Sequence, residues 1–127
     1  MTAIFISSSL PGSAVPSALP DKPVHFAVYG LLGALVLRAL ARGRWFGVGG
    51  RTALASIVLT ITYGVSDEWH QSFVPGRSPD SMDLLVNGVG AAVVVGAAWV
   101  WSIIKASRAH ATRRSGHAAP IFTERLP

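Results

Sequence analysis

The chain has 127 residues, half of them hydrophobic, with 13% Asp, Glu, Lys and Arg and a formal net charge of +5. A soluble domain carries about 25% charged residues. Here Pro23–Leu37, Thr52–Ser66 and Leu84–Ile104 hold none, which excludes an ordinary soluble globular class and sets aside a nucleic-acid partner for the basic excess.

In chain order, Met1–Leu10 is apolar but too short to cross a hydrocarbon core of ~30 Å, which takes about 20 residues of helix. It has no basic n-region and no clear small-residue cleavage site, so it is a poor signal peptide. It reads as the last turns of a missing helix, or as a re-entrant or interfacial stub. Ser7–Pro20, rich in Ser, Pro and Ala, reads as an extended outer loop. The first span is expected over Val24–Ala41, with Asp21 as cap and Pro23 in the first turn, where its missing N–H is tolerated. The second is expected over Thr52–Trp69. The third is Leu84–Ile104, 21 residues, capped by Asp80 with Asp83 near the positive end of the helix dipole.

Small residues recur at four-residue spacing at Ser56, Thr60 and Gly64 and at Gly88, Ala92 and Gly96, and these rows are read as helix contacts. From Ala106 onward Arg and His are scattered without periodicity, which predicts a disordered tail on the membrane surface. The expected organisation is therefore a stub and outer loop over 1–20, a transmembrane domain over 21–105 and a basic tail over 106–127. The expected fold class is all-α: an integral membrane helical bundle with three full transmembrane helices plus the N-terminal stub, the remnant of a fourth. Cysteine is absent, so disulfides, thiolate metal sites and cysteine nucleophiles are excluded.

Charge sets the expected orientation. Arg38, Arg42, Arg44, Arg51, Lys105, Arg108, Arg113, Arg114 and Arg125 face one side with Glu124, whereas Asp21, Asp67, Glu68, Asp80 and Asp83 share the other with Lys22 and Arg77. Cytoplasmic flanks collect Lys and Arg, so the C-terminus is expected in the cytoplasm and the acidic end outside. Trp45, Trp99 and Trp101 then fall near the inner interface and Trp69 near the outer one.

The polar residues follow helical spacing. His25 and Tyr29, then Tyr63, Asp67 and Gln71, then Asp80, Asp83 and Asn87 each share a face of their helix, and all three faces are expected at the outer end. Ionisable groups near membrane depth mark function by default. Candidate catalytic residues are Asp67, Glu68, His25 and His70, the carboxylates to tune or activate and the imidazoles to move protons. Candidate ligand-binding residues are Lys22, Tyr29, Gln71, Arg77, Asp80, Asp83 and Asn87, with Arg77 and Lys22 gripping an anion. Caps, local ion pairs and an interhelical clasp are the alternative reading of the same residues. An oxygen-rich metal set of Asp67, Glu68, His70, Asp80 and Asp83 fits no zinc spacing, since Glu68 and His70 diverge on a helix. No metal or other cofactor is expected. Ser66, Ser72 and Ser78 stand in no nucleophile elbow, and His110 and His117 read as solvated.

The runs DKPVHFAVYGLLGALVLRAL (21–40) and YGVSDEWHQSFVPGRSPDSMDLLVNGVGA (63–91) resemble the VanZ-like membrane protein family. The shared blocks are a D-K-x-x-H-F-x-x-Y start, a D-E-x-H-Q-x-F-V-P-G-R run and a D-x-x-x-N-x-x-G segment. The resemblance implies a small bacterial multi-pass protein of the cytoplasmic membrane with a further helix ahead of these three. It also implies a link to glycopeptide (teicoplanin) resistance, with Asp21, Lys22, His25, Tyr29, Asp67, Glu68, His70, Gln71, Arg77, Asp80, Asp83 and Asn87 as the polar signature. The expected function is a cell-envelope protein whose outward cluster binds or modifies an anionic membrane lipid or a lipid-linked cell-wall precursor. A non-catalytic accessory protein, with the cluster as clasp, is the rival. The sequence carries no signal for an oligomeric state.

Overall fold

In a computed structural model, Ile4, Ile6, Ser9, residues 21–76 and residues 80–116 are described. Among them the regular structure is all helical, with α1 over Asp21–Leu40, α2 over Gly50–Gln71 and α3 over Ser81–Gly116. Expectations for most of 1–20, for Arg77 and for 117–127 fall outside the described residues. α1 places Asp21 in its first turn and Arg38 in its last, each on the side that the helix dipole favours. It closes with Arg42 and Gly43 at φ 52° and 75°. The Gly43 N–H reaches the Arg38 carbonyl at 2.9 Å and the Arg42 N–H reaches that of Ala39 at 3.0 Å, which satisfies carbonyls that the helix end would otherwise strand.

α3 begins as its sequence predicts. Asp80 Oδ1 accepts the Met82 N–H at 2.8 Å, and the Asp80 carbonyl accepts the Asp83 N–H at 3.0 Å. The far end differs from expectation: the helix runs on through Gly116, eleven residues beyond Lys105. Ala106, Ala109 and Ala111 are strong helix formers and Arg suits the negative end of the dipole, so propagation continues where periodicity is missing.

The helices are arranged inside out. Ser56, Thr60, Asp67, Glu68, Gln71, Asp83, Asn87 and Ser102 are buried, whereas Leu31, Leu35, Leu54, Val58, Leu85 and Val93 are exposed. Burial in water would select the opposite pattern. Two helical segments, Asp21–Leu40 and Ser81–Arg113, are long and apolar enough to cross a membrane. α2 has the length, with 22 residues, but Arg51, Asp67, Glu68, His70 and Gln71 keep it out of that set.

Packing is close because it uses small residues. A Cβ added to Gly90 would lie 2.4 Å from the Phe26 carbonyl oxygen, and one on Gly30 would lie 2.8 Å from Val94 Cγ2, so α1 and α3 touch almost backbone to backbone. On α2 the expected row is the contact face: Ser56 and Thr60 are fully buried and turn their hydroxyls back to the Thr52 and Ser56 carbonyls, each at 2.8 Å. On α3 the expected row is so only at its start, where a Cβ on Gly88 would meet Ile61 of α2 at 3.8 Å. Ala92 is exposed and a Cβ on Gly96 would meet nothing within 4 Å; the contact face runs through Asp83, Asn87, Gly90, Ala91 and Val95. Asp83 and Asn87 need buried partners, and this fixes the rotation of α3.

At the end remote from the acidic residues, Leu37, Ala41, Val48, Ala53 and Val95 form an apolar core with Trp99 packed on it. The connection after α1 is tied there to α3: the Val48 N–H donates to Ser102 Oγ at 3.0 Å and the Trp99 indole N–H donates to the Val48 carbonyl at 3.1 Å. The Arg38 guanidinium lies 4.6 Å over the Trp45 ring. With that end anchored, the antiparallel order brings the start of α1, the end of α2 and the start of α3 together.

Gly90→Ala is expected to destabilise the protein by ~1–3 kcal/mol through overpacking against Phe26, whereas Gly96→Ala is expected to stabilise it by roughly 0.5–1 kcal/mol by lowering chain entropy. Thermal unfolding of the two detergent-solubilised variants checks the pair.

Candidate functional site

At the acidic end two layers of polar contacts are stacked. The outer layer joins α1 to α3. Lys22 Nζ donates to Asp80 Oδ2 and Asp83 Oδ1, both at 3.0 Å. Hydrogen bonding from Met82 and Lys22 holds the exposed Asp80 carboxyl below the usual carboxylate range. His25 stands beneath, with Nδ1 3.1 Å from Asn87 Oδ1 and Nε2 3.5 Å from Asp21 Oδ1 and 3.9 Å from Asp83 Oδ2.

The inner layer joins α1 to α2. The Tyr29 hydroxyl, on a side chain only 1% exposed, donates to Asp67 Oδ2 at 3.0 Å. Gln71 Nε2 donates to the same oxygen at 3.1 Å. Glu68 Oε2 accepts the Asp80 N–H at 3.1 Å and so ties the end of α2 to the cap of α3. The His25 and Tyr29 rings run parallel at 6.3 Å, linking the layers along one face of α1.

Among the described residues, three buried polar atoms in this region have no hydrogen-bond partner: Asp67 Oδ1, Glu68 Oε1 and Asn87 Nδ2. Their residues are 3%, 8% and 1% exposed. An unsatisfied buried group costs ~1–3 kcal/mol, more when charged, so three in one site are not what stability alone selects. The site is also acidic. Among the described residues, Asp21, Asp67, Glu68, Asp80 and Asp83 stand against Lys22 alone; Arg77, in the connection between α2 and α3, adds one positive charge to the sequence there.

Of the residues singled out by sequence, Lys22, His25, Tyr29, Asp67, Glu68, Gln71, Asp80, Asp83 and Asn87 are all members of this two-layered network. His70 lies elsewhere. It lines an open groove of about 460 Å³ with Tyr63, Ser66, Asp67, Trp69 and Phe73, and its Nε2 is 3.0 Å from Ser9 Oγ. Trp69 and Phe73 meet edge to face at 5.4 Å on the same groove. Asp67 is common to the groove and the network. Asp21, expected only as a cap and family signature residue, faces His25; the four-residue step from Asp21 to His25 was the available signal.

The sequence pattern of the VanZ/LLP1 family matches residues 6–104. No curated protein and no solved structure matches the chain. The match takes in all of α1 and α2 and most of α3, and therefore every member of the network.

Tyr29→Phe removes one of the two donors on Asp67 Oδ2 without changing shape, and is expected to cost ~1–3 kcal/mol. Thermal unfolding in detergent checks this, with Tyr63→Phe, at the groove, as the comparison.

Proposed function

The chain belongs to the VanZ/LLP1 family, and on that premise we propose that it is a cell-envelope protein whose acidic end binds or modifies a phosphate-bearing membrane lipid or lipid-linked wall precursor. Two apolar helices and the inside-out distribution of side chains support a membrane setting. In this reading α2 is a third span, packed against the α1–α3 pair through its small and polar face. The Arg-rich connection after α1 and the basic end of α3 lie in the cytoplasm. At 36 residues and a 1.5 Å rise, α3 measures about 54 Å, so its last turns project beyond a ~30 Å hydrocarbon core into the headgroup region, where Lys105 and Arg108 meet anionic lipid.

One observation carries the reading of the acidic end as a ligand site: the unpartnered atoms of Asp67, Glu68 and Asn87. A purely structural clasp gains from pairing every buried group with another, as Tyr29, Gln71 and Asp67 Oδ2 do. Leaving two carboxylate oxygens and an amide N–H without protein partners is the expected cost of a site that completes its contacts with a ligand. The groove floored by Asp67 and walled by Trp69 and Phe73 gives such a ligand an apolar flank for an acyl or prenyl chain beside a polar mouth. Lys22 and Arg77 supply the cationic contacts, Asp67 and Glu68 the groups that orient or activate, and His25 and His70 the proton carriers if bonds are broken.

In a glycopeptide-sensitive bacterial host, the unmodified chain is expected to raise tolerance to teicoplanin. Glu68→Gln and Arg77→Lys are expected to abolish that gain while the protein remains in the membrane at normal level. Loss of both variants from the membrane would instead make the cluster a clasp. A reporter that works only outside the cytoplasm is expected to stay silent when fused after Pro127.

A further inference from the structure

We propose that Asp21, His25 and Asp83 form a binding site for one divalent transition-metal ion of the Mn²⁺ type. Asp21, His25 and Asp83 each offer a ligand atom, and these atoms lie within 4.8 Å of one another. His25 Nε2 is 3.5 Å from Asp21 Oδ1 and 3.9 Å from Asp83 Oδ2. Ligands held about 2.0–2.4 Å from a common ion stand at such separations from one another.

The proton on His25 is placed by its other nitrogen. Asn87 Oδ1 can only accept, and it lies 3.1 Å from Nδ1, so Nδ1 carries the hydrogen. In the neutral ring the Nε2 lone pair then faces two carboxylate oxygens, an arrangement of three acceptors that a cation resolves. A ligating histidine whose second nitrogen donates to a carbonyl is the usual support around a bound metal. Lys22 provides the matching support on the other arm. It holds Asp83 Oδ1 and leaves Oδ2 toward His25.

A separate observation comes from α2. Glu68 is 8% exposed and its Oε1 has no partner among the described residues, although Oε2 is fixed by the Asp80 N–H. Asp83 is among its charged neighbours. A carboxylate oxygen buried without a donor, beside a site already rich in negative charge, points to a cation. One imidazole nitrogen among carboxylate oxygens suits Mn²⁺, Fe²⁺ or Zn²⁺ over Ca²⁺ and Mg²⁺. A bound divalent ion would also offset two of the five negative charges that otherwise repel a phosphate at the mouth.

The site is tested with metal alone, no lipid being added, so the outcome is independent of the glycopeptide phenotype. Full-length protein in detergent, stripped with EDTA, is titrated with Mn²⁺ and free ion is followed by electron paramagnetic resonance. The expected result is one Mn²⁺ per chain, displaced by Zn²⁺, with nitrogen hyperfine coupling from one imidazole. Asp83→Asn and His25→Gln are each expected to weaken binding by ~10–100-fold, and Thr62→Ala, on an exposed part of α2, to leave it unchanged. Folded unmodified protein that takes up no stoichiometric Mn²⁺ at ~1 mM overturns the proposal in favour of an imidazolium bridging Asp21 and Asp83. So does bound Mn²⁺ without nitrogen coupling, a result that does not depend on the variants folding.

Discussion

Asp67, Glu68, Asp83 and Asn87 are enclosed by helices whose outward faces are Leu, Val and Ile, and the rest of the molecule is organised around the cost of that enclosure. A carboxylate removed from water must find a cation, several hydrogen-bond donors or a proton. Asp83 finds Lys22, and Asp67 finds Tyr29 and Gln71. Each partner comes from a set position on a helix, so the demand of the carboxylates determines how the helices are rotated about their axes. It also determines depth: Tyr29 is two turns into α1 and Asn87 nearly two into α3, and both reach their partners only if the helix starts are level.

The opposite end makes this possible without any charge. Leu37, Ala41, Val48, Ala53 and Val95 pack around Trp99, and the Val48 backbone is satisfied by Ser102 and Trp99. The connection after α1 is thereby fixed to α3, so α1 cannot slide along α3 independently. Between the two ends, Gly30, Gly33 and Gly90 bring the backbones together, and this shortens the distance that Lys22 and His25 must span to reach Asp83 and Asn87. A polar network joined by side chains as short as Asp and Asn requires that closeness; bulkier residues at these glycines would separate the partners beyond hydrogen-bond range.

The sequence reveals the faces of the network more readily than their relative rotation. Steps of four from His25 to Tyr29 and from Asp67 to Gln71, and of three and four from Asp80 to Asn87, put each set on one stripe, and the structure brings those stripes together. The Ser56, Thr60 and Gly64 row is legible for a related reason: on α2 it forms one continuous small stripe, flanked on the outward faces by the large Leu54, Val58 and Val65. α3 offers no such contrast. Gly88, Gly90, Ala91, Ala92, Gly96 and Ala97 surround it with small residues, so spacing alone cannot choose a contact face, and the choice falls to Asp83 and Asn87. Contacts of long sequence separation, such as Trp99 with Val48 or Gly90 with Phe26, leave no periodic trace. The approach of Asp21 to Asp83 is the same kind of contact, which explains why Asp21 reads as a cap in the sequence and as a member of the network in three dimensions.

The distribution of charge constrains any account of a ligand at this end. Lys22 is shared with Asp80 and Asp83, so the cationic groups available to a phosphate at this end are outnumbered by the protein's own carboxylates. Coulomb repulsion between like charges a few ångströms apart is several kcal/mol near a protein surface, more than one guanidinium recovers from an anion shared with water. An anionic headgroup at this site therefore requires either protonated carboxylates or a bound cation. The orientation of His25, its Nδ1 proton engaged by Asn87 and its Nε2 turned to Asp21 and Asp83, is the arrangement that a cation completes.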